Sequence, residues 1–264
     1  MFVRLLAQAA LVAAISAASS YADEWDKTFT VSGKPELRVE TDDASVTVRT
    51  WDQKSIAARV TTTRWKIGQG EVEVFERQAG DRVEITVRCP HRNFAFSLGN
   101  RSIHVEIQVP RHIQVDIHTG DGGIHVSGLE GETRLRTGDG GIDADSLDGS
   151  LDAESGDGHL RVRGRLDVLK LHTGDGSIEA DVLPGSKMAS GWRAESGDGS
   201  VTIRLPADFS AELDAHTGDG NIQVDFPITL PGGRRDHDLR ATLNGGGAPF
   251  AIRTGDGSIH VGRL

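Results

Sequence analysis

Seven aspartates recur in one fixed setting, and they are the residues of this chain whose type and spacing could support chemistry. Each is the third residue of a Thr/Ser-Gly-Asp-Gly segment, at Asp121, Asp139, Asp157, Asp175, Asp198, Asp219 and Asp256. Carboxylate oxygens are ligands that calcium prefers, and β-rolls bind calcium through Gly-rich, Asp-containing nonapeptides. Here the first four aspartates are 18 residues apart, which is twice that repeat. The spacing therefore allows a calcium row but does not match the calcium-binding roll.

The same segment also has a complete structural explanation as a tight corner. Glycine permits positive φ, and an Asp carboxylate or a Thr/Ser hydroxyl can accept a nearby backbone N–H, which closes the turn. Stacked corners would place equivalent carboxylates about 4.8 Å apart, where two charges repel by about 1 kcal/mol in water and about 3 kcal/mol at an effective dielectric of 20. We therefore expect corner closure as the role of these aspartates, with no cofactor, and keep calcium binding as the alternative.

The residues around each corner predict β-strands. Ile142-Asp143-Ala144 follows one corner and Leu151-Asp152-Ala153 precedes the next, so apolar and polar residues alternate with the period of a strand. Each repeat thus contains two main strands and two corners, and the spacings of 18, 18, 18, 23, 21 and 37 predict insertions followed by one repeat that has lost its corner. The sequence predicts an all-β, single-stranded β-solenoid of about 18 residues per coil, with the right hand favoured.

The chain divides into three predicted regions. Residues 1–22 have a basic Arg4, an apolar stretch and small residues before Asp23, which is typical of a signal peptide; a retained membrane anchor is the alternative. Residues 23–117 predict an irregular N-terminal β region that caps the same solenoid, with a degenerate corner at Thr41-Asp42-Asp43-Ala44 and an excursion over 88–100. Residues 118–264 are the regular repeat region. The expected location is therefore outside the cytoplasm, in the periplasm or at the cell surface.

The charge limits the possible partners. The net charge is −10, and loss of Arg4 with the leader makes it −11. Nucleic-acid binding and docking on anionic lipid both need a basic surface, so neither is expected, and no membrane span is expected after signal removal. The remaining partner classes are a protein or a glycan of the cell envelope.

No catalytic motif is evident, and we expect no enzyme activity. The outward positions before the corners alternate in charge from repeat to repeat, so their histidines are expected to pair with acids rather than to bind metal: His118, Arg136, Glu154, His172, Glu195, His216 and Arg253. Asp236-His237-Asp238 is expected to be an exposed, ion-paired loop. Cys89 is expected to be a small buried residue, with a cross-link between chains as the alternative.

Four parts of the chain share one recognisable pattern: Val105–Pro110; Val115 to Gly122 with Ile124 to Gly131; Asn244–Pro249 followed by Arg253 to Ile259; and Trp51-Asp52 after an early Val-rich strand. They resemble a bacterial family known as "putative adhesin", DUF4097. The resemblance implies the repeat architecture and an adhesin-like role, and it supplies no catalytic residues. We therefore predict a non-catalytic exported scaffold or binding protein of the cell envelope. A carbohydrate-binding or carbohydrate-processing β-helix is the alternative, which an exposed row of tryptophans would favour. An envelope-stress or assembly accessory is a third possibility.

Overall fold

The computed structural model describes residues 22–89, 102–230, 234–235 and 237–264. Every regular element in those ranges is a β-strand, so the all-β prediction is confirmed. Within the same residues, no helix is long and apolar enough to cross a membrane. The predicted signal peptide lies outside the described residues except for Ala22, as does the predicted excursion from residue 90 onward.

The strands are short in the N-terminal half and reach 14 residues in the middle of the chain. In chain order they are β1 Ala22–Thr30, β2 Glu36–Thr41, β3 Ser45–Trp51, β4 Ser55–Thr63, β5 Glu73–Ala79, β6 Arg82–Arg88, β7 Ser102–Pro110, β8 Gln114–Thr119, β9 Ile124–Ser127, β10 Glu130–Thr137, β11 Ile142–Ser155, β12 Leu160–Thr173, β13 Ile178–Val182, β14 Trp192–Ser196, β15 Val201–Leu205, β16 Ala211–Thr217, β17 Ile222–Val224, β18 Ile228–Thr229, β19 Arg234–Arg235, β20 Asp238–Leu243, β21 Pro249–Thr254 and β22 Ile259–Arg263.

Hydrogen bonds order the strands in two rows that share the long strands β11 and β12. The first row is β5–β6–β2–β8–β10–β11–β12–β14–β21–β16–β20. The second row is β1–β4–β7–β3–β9–β11–β12–β13–β15–β22–β17. Pairing is parallel in the interior of each row. It is antiparallel only where β1, β4, β5 or β20 takes part, and the last of these cases includes the pairing of β18 and β19 with β20. The sheet is open rather than closed.

The register in the middle of the chain follows the sequence period. Glu130–Thr137 lies beside Asp148–Ser155, and Ile142 lies beside Leu160, which lies beside Ile178. Each residue is thus paired with the one 18 positions further along the chain. We use the word layer for three consecutive parts of the chain: a strand of the first row, the corner that follows it, and the strand of the second row that comes next. Thr41 lies beside Thr119, which confirms the predicted degenerate corner as part of the same stack.

The layers are not stacked in chain order. The layer formed by β21 and β22, which ends the chain, lies between the β14/β15 layer and the β16/β17 layer. At the other end, β2 and β3 lie between β6/β7 and β8/β9. The prediction that the spacing of 37 marks a repeat without its corner is therefore wrong. The extra residues form β18 to β20, which run along the outer edge of β16, before the chain returns to the interior of the stack.

The core lies between the two rows. Alternate residues of each strand are buried, as the pattern BeBiB of Trp192–Ser196 and BiBiB of Val201–Leu205 illustrates. Most buried side chains are Val, Ile, Leu and Ala, and the largest is Trp192, whose ring lies against those of Phe209 and Phe250. One continuous apolar cluster includes strands on both sides of residue 118. The division of the chain at that residue stays a prediction of the sequence.

Candidate functional site

At four of the repeated segments the first residue, Thr or Ser, closes the corner. The Oγ1 of Thr137 accepts the N–H of Gly140 at 3.2 Å and donates to the carbonyl oxygen of Gly122, in the preceding layer, at 2.9 Å. Ser155 makes the same two bonds, to Gly158 and Gly140, at 2.9 Å each. Ser196 and Thr217 repeat the arrangement. One hydroxyl therefore closes its own corner and ties it to the neighbouring layer.

These hydroxyls form a buried row. Their donor bonds to the neighbouring layer are 2.7 to 3.0 Å long, and the side chains are at most 6% exposed: Thr119, Thr137, Ser155, Thr173, Ser196, Thr254 and Thr217 in stacking order. At the N-terminal end, Thr41 continues the row by donating to Thr119 at 2.8 Å. At the corners of Thr137, Ser155, Ser196 and Thr217 the hydroxyl accepts the N–H of the glycine directly after the aspartate, and corner closure by the Asp carboxylates stays a prediction.

The glycines of the corner serve a purpose that the sequence does not show. None of the corner glycines is among the residues with positive φ, so the expected reason for glycine is wrong. A Cβ on Gly138 would instead lie 2.6 Å from the carbonyl oxygen of Gly120, and one on Gly156 or Gly174 would meet the preceding layer as closely. The backbone bonds across this contact are short, with Gly138 N donating to Gly120 O at 2.5 Å. Glycine is required because successive corners lie in direct backbone contact.

Positive φ occurs at the opposite corner. Gly131 and Gly149, at the second corner of their repeats, have φ of 141° and 128°, and Gly185 has 90°. Only glycine adopts the first two values without strain.

The seven repeated aspartates are brought together as a row of exposed side chains along the outside of the corner. Their order in space follows the stack, so Asp256 lies between Asp198 and Asp219. Among the described residues, no group of three or more His, Cys, Asp or Glu side chains is arranged to hold a metal ion. Calcium binding by this row stays a prediction.

The outward faces of both rows carry ion pairs between neighbouring layers. Arg161 reaches Asp143 at 2.8 Å in one layer and Glu179 at 3.8 Å in the other. Arg204 lies 2.7 Å from both Glu179 and Asp181, and hydrogen bonds to Asp181 first and Glu179 second raise the pKa of its guanidinium. On the first row, Arg136 lies 3.4 Å from Glu154, Arg134 lies 4.0 Å from Asp152, and Arg253 lies 3.0 Å from Asp214. The predicted alternation of charge is confirmed at these contacts.

The histidines belong to the same pattern. His216 Nδ1 lies 2.8 Å from Asp238, and His260 Nε2 lies 2.8 Å from Asp225. Hydrogen bonds from Gln223 and from His260 lower the pKa of the Asp225 carboxyl. His172 lies 4.0 Å from Glu195. The predicted acid–His loop was Asp236-His237-Asp238. Asp236 lies outside the described part of the chain, as do the side chains of the neighbouring Arg234 and Arg235. Asp238 is a strand residue paired with His216.

The tryptophans do not form a row. Trp192 is 2% exposed and belongs to the core, while Trp25, Trp51 and Trp65 are half-buried on separate N-terminal segments. Trp51 lines a surface hollow of about 330 Å³ at the edge opposite the repeated corner. Cys89 is half-buried at the margin of the core, and its N–H donates to Asp42 Oδ2 at 2.8 Å. A cross-link through Cys89 stays a prediction.

These features define a class: an all-β protein of stacked, mostly parallel strands with a hydroxyl-lined corner. Residues 112–198 match the family model Toastrack DUF4097, which agrees with the resemblance seen in the sequence. No curated protein matches the chain in sequence.

Solved structures are similar to the chain at low identity. A "putative adhesin" from Bacteroides fragilis NCTC 9343 has a TM-score of 0.50 and 12% identity, over 91% of this chain and 97% of its own. A "putative cell adhesion protein" from Clostridium sporogenes ATCC 15579 has a TM-score of 0.43 and 14% identity, over 91% and 99%. A "Putative lipid binding protein" from Parabacteroides distasonis ATCC 8503 has a TM-score of 0.41 and 12% identity, over 90% and 96%. At these identities the likeness concerns the fold alone.

Proposed function

We propose that this protein is a non-catalytic, exported scaffold or adhesin-like binding protein of the cell envelope, periplasmic or at the cell surface. The observation that carries the proposal is the pairing of outward charges from layer to layer, as in the contact of Arg161 with Asp143 and Glu179. We further propose a right-handed β-solenoid with about 18 residues per coil; the register of β10, β11 and β12 supports the coil length, and the usual hand of strand crossovers favours the right hand.

The outward faces suit recognition by contact. Each exposed pair contributes a few tenths of a kcal/mol, so the pairs add little to stability individually, but together they hold long side chains in a fixed pattern. A fixed pattern lowers the conformational entropy that these side chains would lose on binding. A partner protein or glycan of the envelope could therefore be recognised along a face without a deep cleft.

The charged groups support a non-catalytic role. The outward carboxylates of Asp143, Asp181 and Asp214 lie in ion pairs on open faces. General acid–base catalysis instead requires a carboxyl or imidazole aimed at a bound substrate. The net charge of −10 supports a partner other than nucleic acid.

A capture experiment tests the binding role. Residues 23–264 would be immobilised and exposed to envelope fractions, and the same protein applied to a glycan array. The variant Arg161→Glu with Arg163→Glu changes one face, and Asp139→Asn with Asp157→Asn changes the corner row as a matched control. We expect capture by the native protein, loss with the first variant and retention with the second. If the native protein captures no partner, the binding role is contradicted. If only the corner variant loses capture, the binding site lies at the corner instead of on the face.

Export has its own test. We expect the N-terminus of the protein recovered from envelope fractions to be Asp23. Recovery of intact residues 1–22 would support the retained anchor instead.

The second candidate is a carbohydrate-binding β-helix. The hollow at Trp51 favours this candidate, because it combines one aromatic ring with charged side chains at its rim. The buried position of Trp192 removes one of the four tryptophans from any aromatic platform.

A further inference from the structure

The hollow beside Trp51 is assembled from three separate connections at one edge of the stack. Its floor consists of Val31, Pro35, Trp51 and Pro110, and its volume is about 330 Å³. Trp51 and Pro110 lie directly beside one another at the ends of the parallel strands β3 and β7. Small-molecule sites have volumes of about 300–1,000 Å³, so this hollow suits a single-ring ligand.

The indole ring of Trp51 is held in place. Its Nε1–H donates to the carbonyl oxygen of Ser55 at 2.8 Å, across the turn between β3 and β4. The ring is half-buried, so part of its surface remains at the hollow. The indole N–H is therefore already bonded within the chain, and the remaining surface of the ring is what a ligand could contact.

The wall formed by Ser32 and Gly33 is also fixed. The Asp81 carboxylate accepts the N–H of Ser32 at 2.8 Å and that of Gly33 at 2.7 Å, and these bonds lower the pKa of Asp81. Val31 N donates to the carbonyl oxygen of Lys54 at 3.1 Å, which joins two sides of the hollow. Because these contacts exist without ligand, little ordering of the wall is needed on binding.

The rim offers both hydrogen-bond donors and acceptors. Asp52 lies 3.6 Å from Arg111, and their side chains are 91% and 56% exposed, so both groups can turn toward a ligand. Gln53 and Lys54 add an amide and an ammonium group on the same turn. Such a rim matches hydroxyl groups, each of which donates one hydrogen bond and accepts others.

We propose that this hollow binds one pyranose ring of a saccharide. The C–H face of a pyranose is apolar and weakly positive, so it complements the negative face of an indole, while its hydroxyls reach the rim. The inference rests on the proposed binding role, because it names a ligand class for one part of the surface.

A proline-rich peptide fits less well. Domains that bind such peptides use grooves lined by several aromatic side chains. Of the described residues that line this hollow, Trp51 is the only Phe, Tyr or Trp, and its N–H is already bonded to Ser55 and cannot donate to a peptide carbonyl.

Calorimetric titration of residues 23–264 tests the proposal. The probes are methyl β-glucoside, methyl N-acetyl-β-glucosaminide, methyl β-glucuronide and decaproline. We expect at least one glycoside to bind, at least about tenfold weaker binding to Trp51→Ala, and binding within a few-fold to Trp51→Phe, which keeps an aromatic ring. If the alanine variant melts early, Arg111→Ala and Lys54→Ala, both at exposed positions, serve as second variants and are expected to weaken binding.

Several results would overturn the proposal: no glycoside binds, decaproline binds instead, or glycoside binding is unchanged in Trp51→Ala and in both rim variants. Capture of an envelope partner that survives these substitutions would then leave the broader binding role standing. If glycoside binding depends on Trp51 but no envelope partner is captured, the proposed saccharide site is supported and the adhesin-like role is contradicted.

Discussion

Replacing Gly158 by alanine separates two explanations for glycine in the repeated corner. Gly158 does not have positive φ, so alanine is compatible with its backbone conformation. The added Cβ, however, would lie closer than 3.0 Å to the carbonyl group of Gly140 in the preceding layer. Both atoms of that carbonyl are backbone, so relief requires the layers to separate. Gly123 is the matched control, since its Cβ would lie 3.5 Å from Gly141 O, an ordinary contact.

The expected magnitude follows from the contacts that separation would disturb. Overpacking typically costs about 1–3 kcal/mol. Separation also strains the bonds of the Ser155 hydroxyl to Gly158 N and Gly140 O, both 2.9 Å, each contributing about 1 kcal/mol. We therefore expect Gly158→Ala to lower the free energy of unfolding by about 3–5 kcal/mol. Gly123→Ala should stay within about 1 kcal/mol of the native protein, because alanine reduces the entropy of the unfolded chain.

Urea denaturation followed by far-UV circular dichroism measures the difference, with midpoints compared at equal slope. The steric explanation is refuted if Gly158→Ala and Gly123→Ala unfold at the same urea concentration. Equal destabilisation of both would point to a conformational need for glycine at each position, as the sequence alone suggests.

Three further predictions concern the corner row and the N-terminal cap. Thr137→Val removes the donor to one backbone carbonyl and the acceptor of one N–H, so it should cost about 2–4 kcal/mol by the same denaturation, whereas Thr137→Ser should be nearly neutral. The double variant Asp139→Asn with Asp157→Asn should raise the melting temperature slightly, and only at low salt. The native protein should melt at the same temperature in chelator and in millimolar calcium. A rise of the native melting temperature with calcium that the double variant loses would contradict this. The lowered pKa of Asp81 means that its bonds stabilise the fold above the ordinary Asp pKa and that this contribution is lost as the pH falls through the lowered value. Asp81→Asn should therefore reduce thermal stability at pH 7 and weaken its acid dependence, and an unchanged profile from pH 2 to 7 would argue against that role.

Local pattern was sufficient to predict the layers. The alternation in Ile142-Asp143-Ala144 predicts which residues point inward. The constant spacing of the corners predicts which residues pair in neighbouring strands, and the pairing of Ile142 with Leu160 agrees with it. The charge alternation from Asp143 to Arg161 follows from the same register.

Stacking order could not be predicted, for a physical reason. Thr254-Gly255-Asp256-Gly257 carries the same groups as every other corner, so its hydroxyl and glycines fit between any two layers. The spacing of 37 fits a lost repeat as well as an excursion along an edge. The hollow was missed for a related reason, because Val31, Trp51 and Pro110 come from three connections whose proximity depends on where β2 and β3 insert.

The interleaved order has a consequence for binding. The first and last layers in sequence, β2/β3 and β21/β22, are bonded on both sides, so the stack cannot fray by releasing them. Among the described residues, its outermost strands are instead β5 and β1 at one end and, beyond β20, the two-residue strands β18 and β19 at the other, all antiparallel to their neighbours. β17, the last strand of the second row, has only three residues. Short or charged edge strands resist the addition of a partner strand. We therefore assign the proposed recognition to the outward faces and the hollow, where side chains rather than backbone groups would make the contact.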